Sequence, residues 1–345
     1  MSDQSDRSDL PDGSGQSLIS KTMPTPRQYL CHRAPGHLDV TGSLDKPFWA
    51  IAPWTDDFVD IEGDTKPPPR FRTRVKMLWD DAYLYIGAEM EEPHVWGTLT
   101  EHDSVIFQDN DFEIFIDPDG DHHNYYELEI NALNTTWDLR LVKPYRDGGP
   151  ALNSWEIPGL RNAVSIDGTL NDPSDTDRGW SLEIAIPWAP LAEFSRSPAP
   201  PVDGDLWRVN FSRVEWDIDI VEGAYCKRPD RPEHNWVWSP QGAIDMHRPE
   251  KWGIVQFSSE SPDFAELRAD PSQTPRNRLM EVYWLQRAFR DSHGRYAESV
   301  SELVGADADI VLMLTREGYV AEVEVQRSGR WSIRHDSLFR HEALR

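Results

Sequence analysis

Three glutamates on two neighbouring segments are the residues of this sequence best suited to chemistry. Glu113 lies in DFEIFID, and Glu127 and Glu129 follow in YYELEIN. Hydrolysis of a glycosidic bond uses one carboxyl group as the acid and another as the base or nucleophile, so such a pair could cleave a sugar. The same carboxylates could instead hold sugar hydroxyls without cleavage, or they could be solvated or salt-bridged surface groups. Strand rise puts Glu127 and Glu129 about 7 Å apart, which fits many accidental pairs, so spacing leaves these alternatives open.

The alternation of side chains predicts that these glutamates lie on a β-hairpin. Apolar and acidic residues largely alternate from Asp111 to Asp117 and again from Tyr125 to Asn131. This is the period-two pattern of strands that bury one face. Pro118 and Gly120 lie between the two segments and favour a turn. The hairpin would carry an apolar layer beneath a polar, acidic face, and that face is the first candidate site.

Aromatic rings are the second requirement of a sugar site, because the C–H face of a pyranose stacks on a flat ring. The chain has 15 Trp. In HNWVWSP, Trp236 and Trp238 share one side of a strand, and a core already rich in aromatic residues would not easily accommodate both. The alternative is that the tryptophans fill the core. The predicted rings are Trp96, Phe107, Trp236 and Trp238, and the predicted polar rim is Glu113, Glu129, Asn131, Asn210, Arg213 and Asn235.

Two acidic turns are candidate calcium sites. Asp117, Asp119 and Asp121 crowd one turn, and five acidic residues crowd the segment 56–64. Calcium favours clusters of hard oxygen ligands at such loops. The first turn is not an EF-hand, because its glycine comes at the fourth position and not the sixth. The predicted ligands are Asp60, Glu62, Asp117, Asp119 and Asp121, although an acidic chain forms such clusters easily without a metal.

Composition limits the possible partners and compartments. The chain has 345 residues, 38% hydrophobic residues and a formal net charge of -25, which disfavours nucleic acid and anionic membrane surfaces as partners. Cys31 and Cys226 are too few for a disulfide framework. The N-terminus lacks the basic and apolar regions of a signal peptide, and no window is apolar enough to span a membrane. The expected compartment is therefore the cytoplasm.

The remaining segments predict an all-β fold with a small C-terminal α+β element. Alternation predicts strands over 72–79, 83–90, 137–142, 180–186, 207–216 and 252–257. Short strands separated by Pro and Gly turns favour an antiparallel two-sheet, jelly-roll-like β-sandwich. Helical spacing of apolar residues over 276–290 predicts a helix, followed by short strands over 310–314, 319–325 and 331–333. The predicted domains are a disordered tail over 1–26, the sandwich over 27–258, a linker over 259–275 and the C-terminal element over 276–345.

Four motifs, in order, resemble those of carbohydrate-binding module family 9. They are LDVTGSLDKPFW, VKMLWDDAYLYIGAEMEEPHVW, FQDNDFEIFID and WSPQGAIDMHRPEKWGIVQF, spread from Tyr29 to Phe257. The family has a DG-x-L/I-D-x-x-W start, an LWD-x-x-YLY hairpin, a QDSVEIFID strand and a closing P-x-x-FG strand. The resemblance implies a β-sandwich that binds sugar, commonly with structural calcium.

The resemblance also implies site residues, two of which depart from the family pattern. The strand glutamate of the family falls on Glu113, and the first aromatic residue of its sugar clamp falls on Phe107. The second clamp tryptophan falls near Met246, and the arginine of the returning strand falls near Glu129. These departures remove one stacking ring and one cation from the family site.

The sequence therefore predicts a non-catalytic carbohydrate-binding module, in carbohydrate catabolism or polysaccharide degradation. One alternative is a glycoside hydrolase that uses Glu113 and a second carboxylate. Another alternative is a structural or interaction protein whose aromatic surface contacts a polypeptide.

Overall fold

The computed structural model describes residues 26–307, 309–326 and 328–343. All of the predicted tail except residue 26 lies outside these residues. Within them the chain forms two α-helices, α1 (Trp188–Ala192) and α2 (Gln273–His293). Short 3₁₀ turns occur at Pro47–Ile51, Gly63–Thr65, Ile106–Gln108, Tyr145–Asp147, Pro249–Lys251 and Val300–Glu302.

The described residues form 19 strands. In chain order they are β1 (Gln28–Arg33), β2 (Val59–Asp60), β3 (Thr73–Trp79), β4 (Tyr83–Glu91), β5 (Asp111–Asp117), β6 (Tyr125–Asn131), β7 (Thr136–Leu141), β8 (Ala151–Leu152), β9 (Arg161–Asp167), β10 (Gly179–Pro187), β11 (Leu206–Glu215), β12 (Ile218–Val221), β13 (Ala224–Lys227), β14 (His234–Val237), β15 (Gly253–Ser258), β16 (Val311–Leu314), β17 (Tyr319–Val325), β18 (Gly329–Arg334) and β19 (Phe339–Glu342).

Thirteen strands hydrogen-bond in one large sheet. Their order is β8-β7-β6-β5-β11-β15-β1-β3-β4-β10-β9, with β14 on β11 and β2 on β14. Most pairs are antiparallel, but β1 runs parallel to both β15 and β3 and joins the two arms of the sheet. The predicted all-β class is confirmed, whereas the strands follow one continuous path in place of two separate sheets.

The two arms of the sheet pack against each other over a single core. Ile114 and Leu128 on one arm share this core with Ile86 and Ile184 on the other arm. Trp207 fills the centre, where its ring meets Phe257 edge to face at 5.1 Å. The sheet therefore curls so that one face of each strand is removed from water, which is the main stabilising contribution of a fold with so many large apolar side chains.

The predicted hairpin is confirmed and fixes which side chains face away from the core. β5 and β6 pair antiparallel, with Glu113 opposite Glu129. Since Ile114 and Leu128 point into the core, the glutamates beside them point to the other side. The turn between the strands begins at Pro118, which has no N–H for a ladder, and passes through Gly120 at φ 62°. The register therefore places acidic side chains of neighbouring strands next to each other.

The C-terminal residues form a separate layer with its own core. α2 packs its buried residues, including Leu279 and Tyr283, on the antiparallel sheet β16-β17-β18-β19. The helix ends at Gly294, whose φ of 70° suits a left-handed cap. This layer is joined to the large sheet at Asp147, which accepts hydrogen bonds from Tyr283 Oη at 2.6 Å and Ser337 Oγ at 2.7 Å. No helix among the described residues has the length and hydropathy needed to cross a bilayer.

Candidate carbohydrate-binding site

Four buried carboxylates lie on the side of β5 and β6 that faces away from the core. We call Asp111, Glu113, Glu127 and Glu129 the carboxylate face. Asp111, Glu113 and Glu129 each have a ligand oxygen within 4.8 Å of those of the other two. Cross-strand pairing causes this approach, because Glu113 lies opposite Glu129 on β6 and next to Asp111 along one face of β5.

Burial controls the chemistry of these carboxylates. Glu113 is 5% exposed and Asp111 is fully buried. Burial raises the pKa of Asp111, Glu127 and Glu129 well above the ordinary range, and the neighbouring carboxylates raise it further. Burial is also the main reason why the pKa of Glu113 rises to about 7. Asp111 Oδ2 and Glu113 Oε2 have no hydrogen-bond partner, so each can accept one from a ligand.

Aromatic rings flank the carboxylate face at its β7 side. Phe107 donates its backbone N–H to Glu129 Oε2 at 3.0 Å. Its ring stacks near that of Trp137, with centroids 6.5 Å apart and planes 28° apart. Trp137 lies opposite Glu129 in the β6–β7 register, and its Nε1 has no hydrogen-bond partner. Tyr145 lies nearby with half of its surface exposed; burial of the hydroxyl and the charges of Glu127 and Glu129 raise its pKa to about 12.

An apolar cluster continues the same side of the sheet. Phe115, Tyr125, Leu139 and Trp252 form its centre, and Met246 packs at its edge. The carbonyl of Met246 accepts a hydrogen bond from Trp252 Nε1 at 2.8 Å, which holds the segment over the sheet. The position of the second clamp tryptophan is thus occupied by a half-buried thioether beside the carboxylate face.

The prediction that Trp96, Trp236 and Trp238 form a stacking platform is wrong. All three are buried, at 5%, 3% and 1% exposure. Trp236 lies against Arg213, whose guanidinium is 5.2 Å from the ring centroid, and Trp238 packs on Gly253. A Cβ at Gly253 would lie 2.2 Å from the Trp238 ring. The absence of a side chain at Gly253 therefore leaves room in the core for the Trp238 ring.

Three predicted rim residues are also committed to structural contacts. Arg213 is 1% exposed and forms ion pairs with Glu92 and Glu215 on the core side of β11. The Asn131 amide donates to Asp109 and Leu99, and its oxygen accepts from two backbone N–H groups. The Asn210 side chain donates to the carbonyl of Ser239 and accepts from the N–H of Ser239.

Besides Glu113 and Glu129, Asn235 is a predicted rim residue that lies on the side of the site. It lies opposite Val214 on β11, which in turn lies opposite Asp111 on β5. Since residues opposite one another across a sheet share a face, the half-buried Asn235 points to the side of the carboxylate face.

The two predicted calcium turns differ in geometry. Asp117, Asp119 and Asp121 have ligand oxygens within 4.8 Å of one another, and Asp117 Oδ1 is buried without a partner. Asp60 and Glu62 belong to no such group among the described residues. Asp60 accepts the N–H of Glu62, and the Glu62 side chain pairs with Lys66 at 2.7 Å.

Sequence reasoning missed Asp111, Trp137 and Tyr145 as members of the site. The alternation of Trp137 with Asp138 on a strand was visible, but only the β6–β7 register shows that the ring flanks Glu129. Tyr145 follows Pro144 in a short turn, where periodicity carries no signal.

Residues 40–201 match a family model described as "Carbohydrate family 9 binding domain-like", a range that contains Phe107, Glu113, Glu129 and Trp137. Two curated relatives are each 27% identical over 116 residues, or 34% of this chain: exoglucanase XynX of Acetivibrio thermocellus and endo-1,4-beta-xylanase A of Thermoanaerobacterium saccharolyticum. The match covers only 9% and 8% of the lengths of these relatives.

A comparison with solved structures also finds a similar fold. The similar structure is that of a candidate carbohydrate-binding protein from Bacteroides uniformis, 17% identical, with a TM-score of 0.50 over 68% of this chain and 100% of that chain. The family match and this fold agree with the four sequence motifs, and residues 40–201 are similar to carbohydrate-binding module family 9.

Proposed function

We propose that the carboxylate face and its flanking rings bind a carbohydrate without cleaving it. The observation that carries this proposal is the half-buried pair of rings, Phe107 and Trp137, directly beside buried carboxylates with unpartnered oxygens. A sugar presents apolar C–H surface to a ring and hydroxyl donors to such oxygens, so both halves of the site have a matching surface. The family match over residues 40–201 supports the same function.

Each side chain has a separate expected role. Trp137 supplies the stacking ring, and its Nε1 can donate to a hydroxyl. Glu113 accepts from sugar hydroxyls through Oε2, which is free of other partners. Tyr145 is 52% exposed and can close the open side of the site with its ring. Met246 offers an apolar surface where the family has a second tryptophan, so we expect weaker stacking on that side.

We further propose that Asp117, Asp119 and Asp121 hold a structural calcium ion. Their clustered oxygens and the unpartnered Asp117 Oδ1 support it. Hard carboxylate oxygens of this kind suit calcium in preference to softer metals.

The curl of the large sheet also supports a sandwich-like arrangement of its two arms, although no jelly-roll connectivity is needed for the site.

Isothermal titration calorimetry against cello- and xylo-oligosaccharides tests the sugar proposal. The names of the two curated relatives, an exoglucanase and a xylanase, motivate this panel. We expect heat for at least one oligosaccharide, and at least about tenfold weaker binding in Trp137→Ala, since a lost ring contact is worth on the order of 1.4 kcal/mol.

Trp54→Ala is the matched control. Trp54 is also a half-buried tryptophan, but it stacks under Arg74 of β3, on the other arm of the sheet. Its replacement should leave sugar affinity unchanged. Equal losses in both variants, or no heat across the panel for the wild-type protein, would refute the proposed site. Turnover of an aryl glycoside that disappears in Glu113→Gln would show an enzyme instead.

A further inference from the structure

Four carboxylates of low exposure in this protein have a cation beside them. The pairs are Arg213–Glu92 at 2.7 Å, Lys46–Glu183 at 2.5 Å, Arg146–Glu250 at 2.9 Å and Arg208–Asp270 at 3.2 Å. This is the expected arrangement, because moving a lone ionised carboxylate out of water is costly unless an opposite charge and hydrogen bonds replace the lost hydration.

The carboxylate face differs from these four pairs. Among the described residues, no Lys, Arg or His forms an ion pair with Asp111, Glu113, Glu127 or Glu129. No described side chain therefore supplies a counter-charge to this face.

The oxygens of three of these residues are also arranged for shared coordination. One oxygen of Asp111 accepts the N–H of Val214 at 3.3 Å, while Oδ2 has no partner. Glu129 is held by the N–H of Phe107, and Glu113 Oε2 is unpartnered although the residue is only 5% exposed. The backbone thus fixes two of the carboxylates, and two buried oxygens remain open to a ligand.

The separation of these oxygens fits one ion. Calcium binds oxygen at about 2.3–2.6 Å, so two ligands on opposite sides of it are at most about 5 Å apart. The ligand oxygens of Asp111, Glu113 and Glu129 lie within 4.8 Å of one another, so all three can contact a single ion. The donors are all carboxylate oxygens, which favours a hard divalent cation over zinc or copper.

We propose that Asp111, Glu113 and Glu129 form a binding site for a divalent cation of the calcium class. Water would complete the coordination shell of the ion. The proposal concerns the ion alone and does not depend on sugar binding.

Calcium titration of the full chain, stripped with a chelator, tests the proposal. The experiment uses the Asp121→Asn variant, which disables the acidic turn at the other end of β5 and leaves one expected site. We expect one calcium ion per chain in Asp121→Asn, and binding weakened on the order of a hundredfold when Glu129→Gln is added, because a ligand charge is lost. Glutamine keeps the oxygen that accepts from Phe107, so the fold should be retained.

The melting temperature provides a second measurement. Calcium should raise it in Asp121→Asn but not in the double variant. Without calcium, the melting temperature of the double variant should equal or exceed that of Asp121→Asn, because a buried acid without a counter-charge has been removed. Equal calcium affinity with and without Glu129→Gln would overturn the proposal, as would a natively folded Asp121→Asn chain that binds no calcium. Binding of glucosamine in the absence of calcium, abolished by Glu129→Gln, would assign the site to an ammonium group and would also overturn it.

Discussion

Replacing Arg213 by methionine should destabilise the protein strongly without changing its affinity for sugar. The guanidinium donates to Glu92 Oε2 at 2.7 Å and Glu215 Oε2 at 2.8 Å, and all three side chains are buried. It also donates to the carbonyl of Glu91 at 2.8 Å. Methionine fills similar space but removes the charge, so Glu92 is left without a cation and Glu215 keeps only the half-exposed Arg70 at 3.8 Å.

The magnitude follows from that arrangement. Removing one partner of a buried ion pair costs about 3–5 kcal/mol, mainly because the other charge is left uncompensated. Here one buried cation serves both Glu92 and Glu215, and Arg70 reaches only Glu215, so we expect a loss of about 3–5 kcal/mol. Adding Glu92→Gln and Glu215→Gln removes the stranded charges and should recover more than half of the loss.

Urea denaturation followed by tryptophan fluorescence measures these free energies of unfolding. Arg228→Met is the control, because Arg228 pairs with Asp219 at 2.9 Å with about half of each side chain exposed. Such a surface pair is worth about 0–1 kcal/mol. A loss below about 1 kcal/mol in Arg213→Met, or no recovery in the triple variant, would refute the reasoning. Sugar titration at a temperature where the variant is folded separates stability from binding. Reduced sugar affinity at that temperature would show that Arg213 contributes to the sugar site.

Two further predictions concern other buried groups. Burial and the charge of Arg146 lower the pKa of His247 to about 3, so the unfolded chain binds the extra proton first and stability falls as pH drops from about 6.5 toward 3. At pH 4, the free energy of unfolding should be about 3 kcal/mol lower because of His247. His247→Gln should therefore flatten the pH dependence of the melting temperature between pH 6 and 4. An unchanged slope would contradict this role of His247. Asp147→Ala should cost about 3 kcal/mol or more at the contact between the two layers, because Tyr283 and Ser337 lose their buried acceptor. Proteolysis should then release the C-terminal layer faster, whereas Asp219→Ala on the surface should not change the rate.

The elements with clear alternation were predictable from the sequence. The strand 319–325 was predicted with its observed bounds, and the hairpin that carries Glu113 and Glu129 has the expected faces. Each of these elements is determined by local pattern and turn chemistry. The single curled sheet was not predictable, because it depends on the parallel pairing of β1 with β15, where Gln28 lies opposite Ile254.

The core side of a strand was harder to assign than its alternation. The sequence shows that Trp236 and Trp238 share a face, but not that this face is the core. Arg213 lies on the same face, and an arginine is rarely buried in a core unless it has charged partners. Glu215 is two residues away, whereas Glu92 is 121 residues away and no local pattern connects them.

A high density of acidic residues in the sequence does not by itself identify a cation site in the structure. Residues 56–64 contain five acidic side chains in nine positions, more densely than β5 and β6. Asp56, Asp57 and Asp64 are exposed, so water screens their charge and no ion is required. The carboxylate face is less dense but buried, and it has no basic partner among the described residues. Because the cost of an unpaired charge depends on its removal from water, burial, and not the number of acids, distinguishes the carboxylate face from residues 56–64.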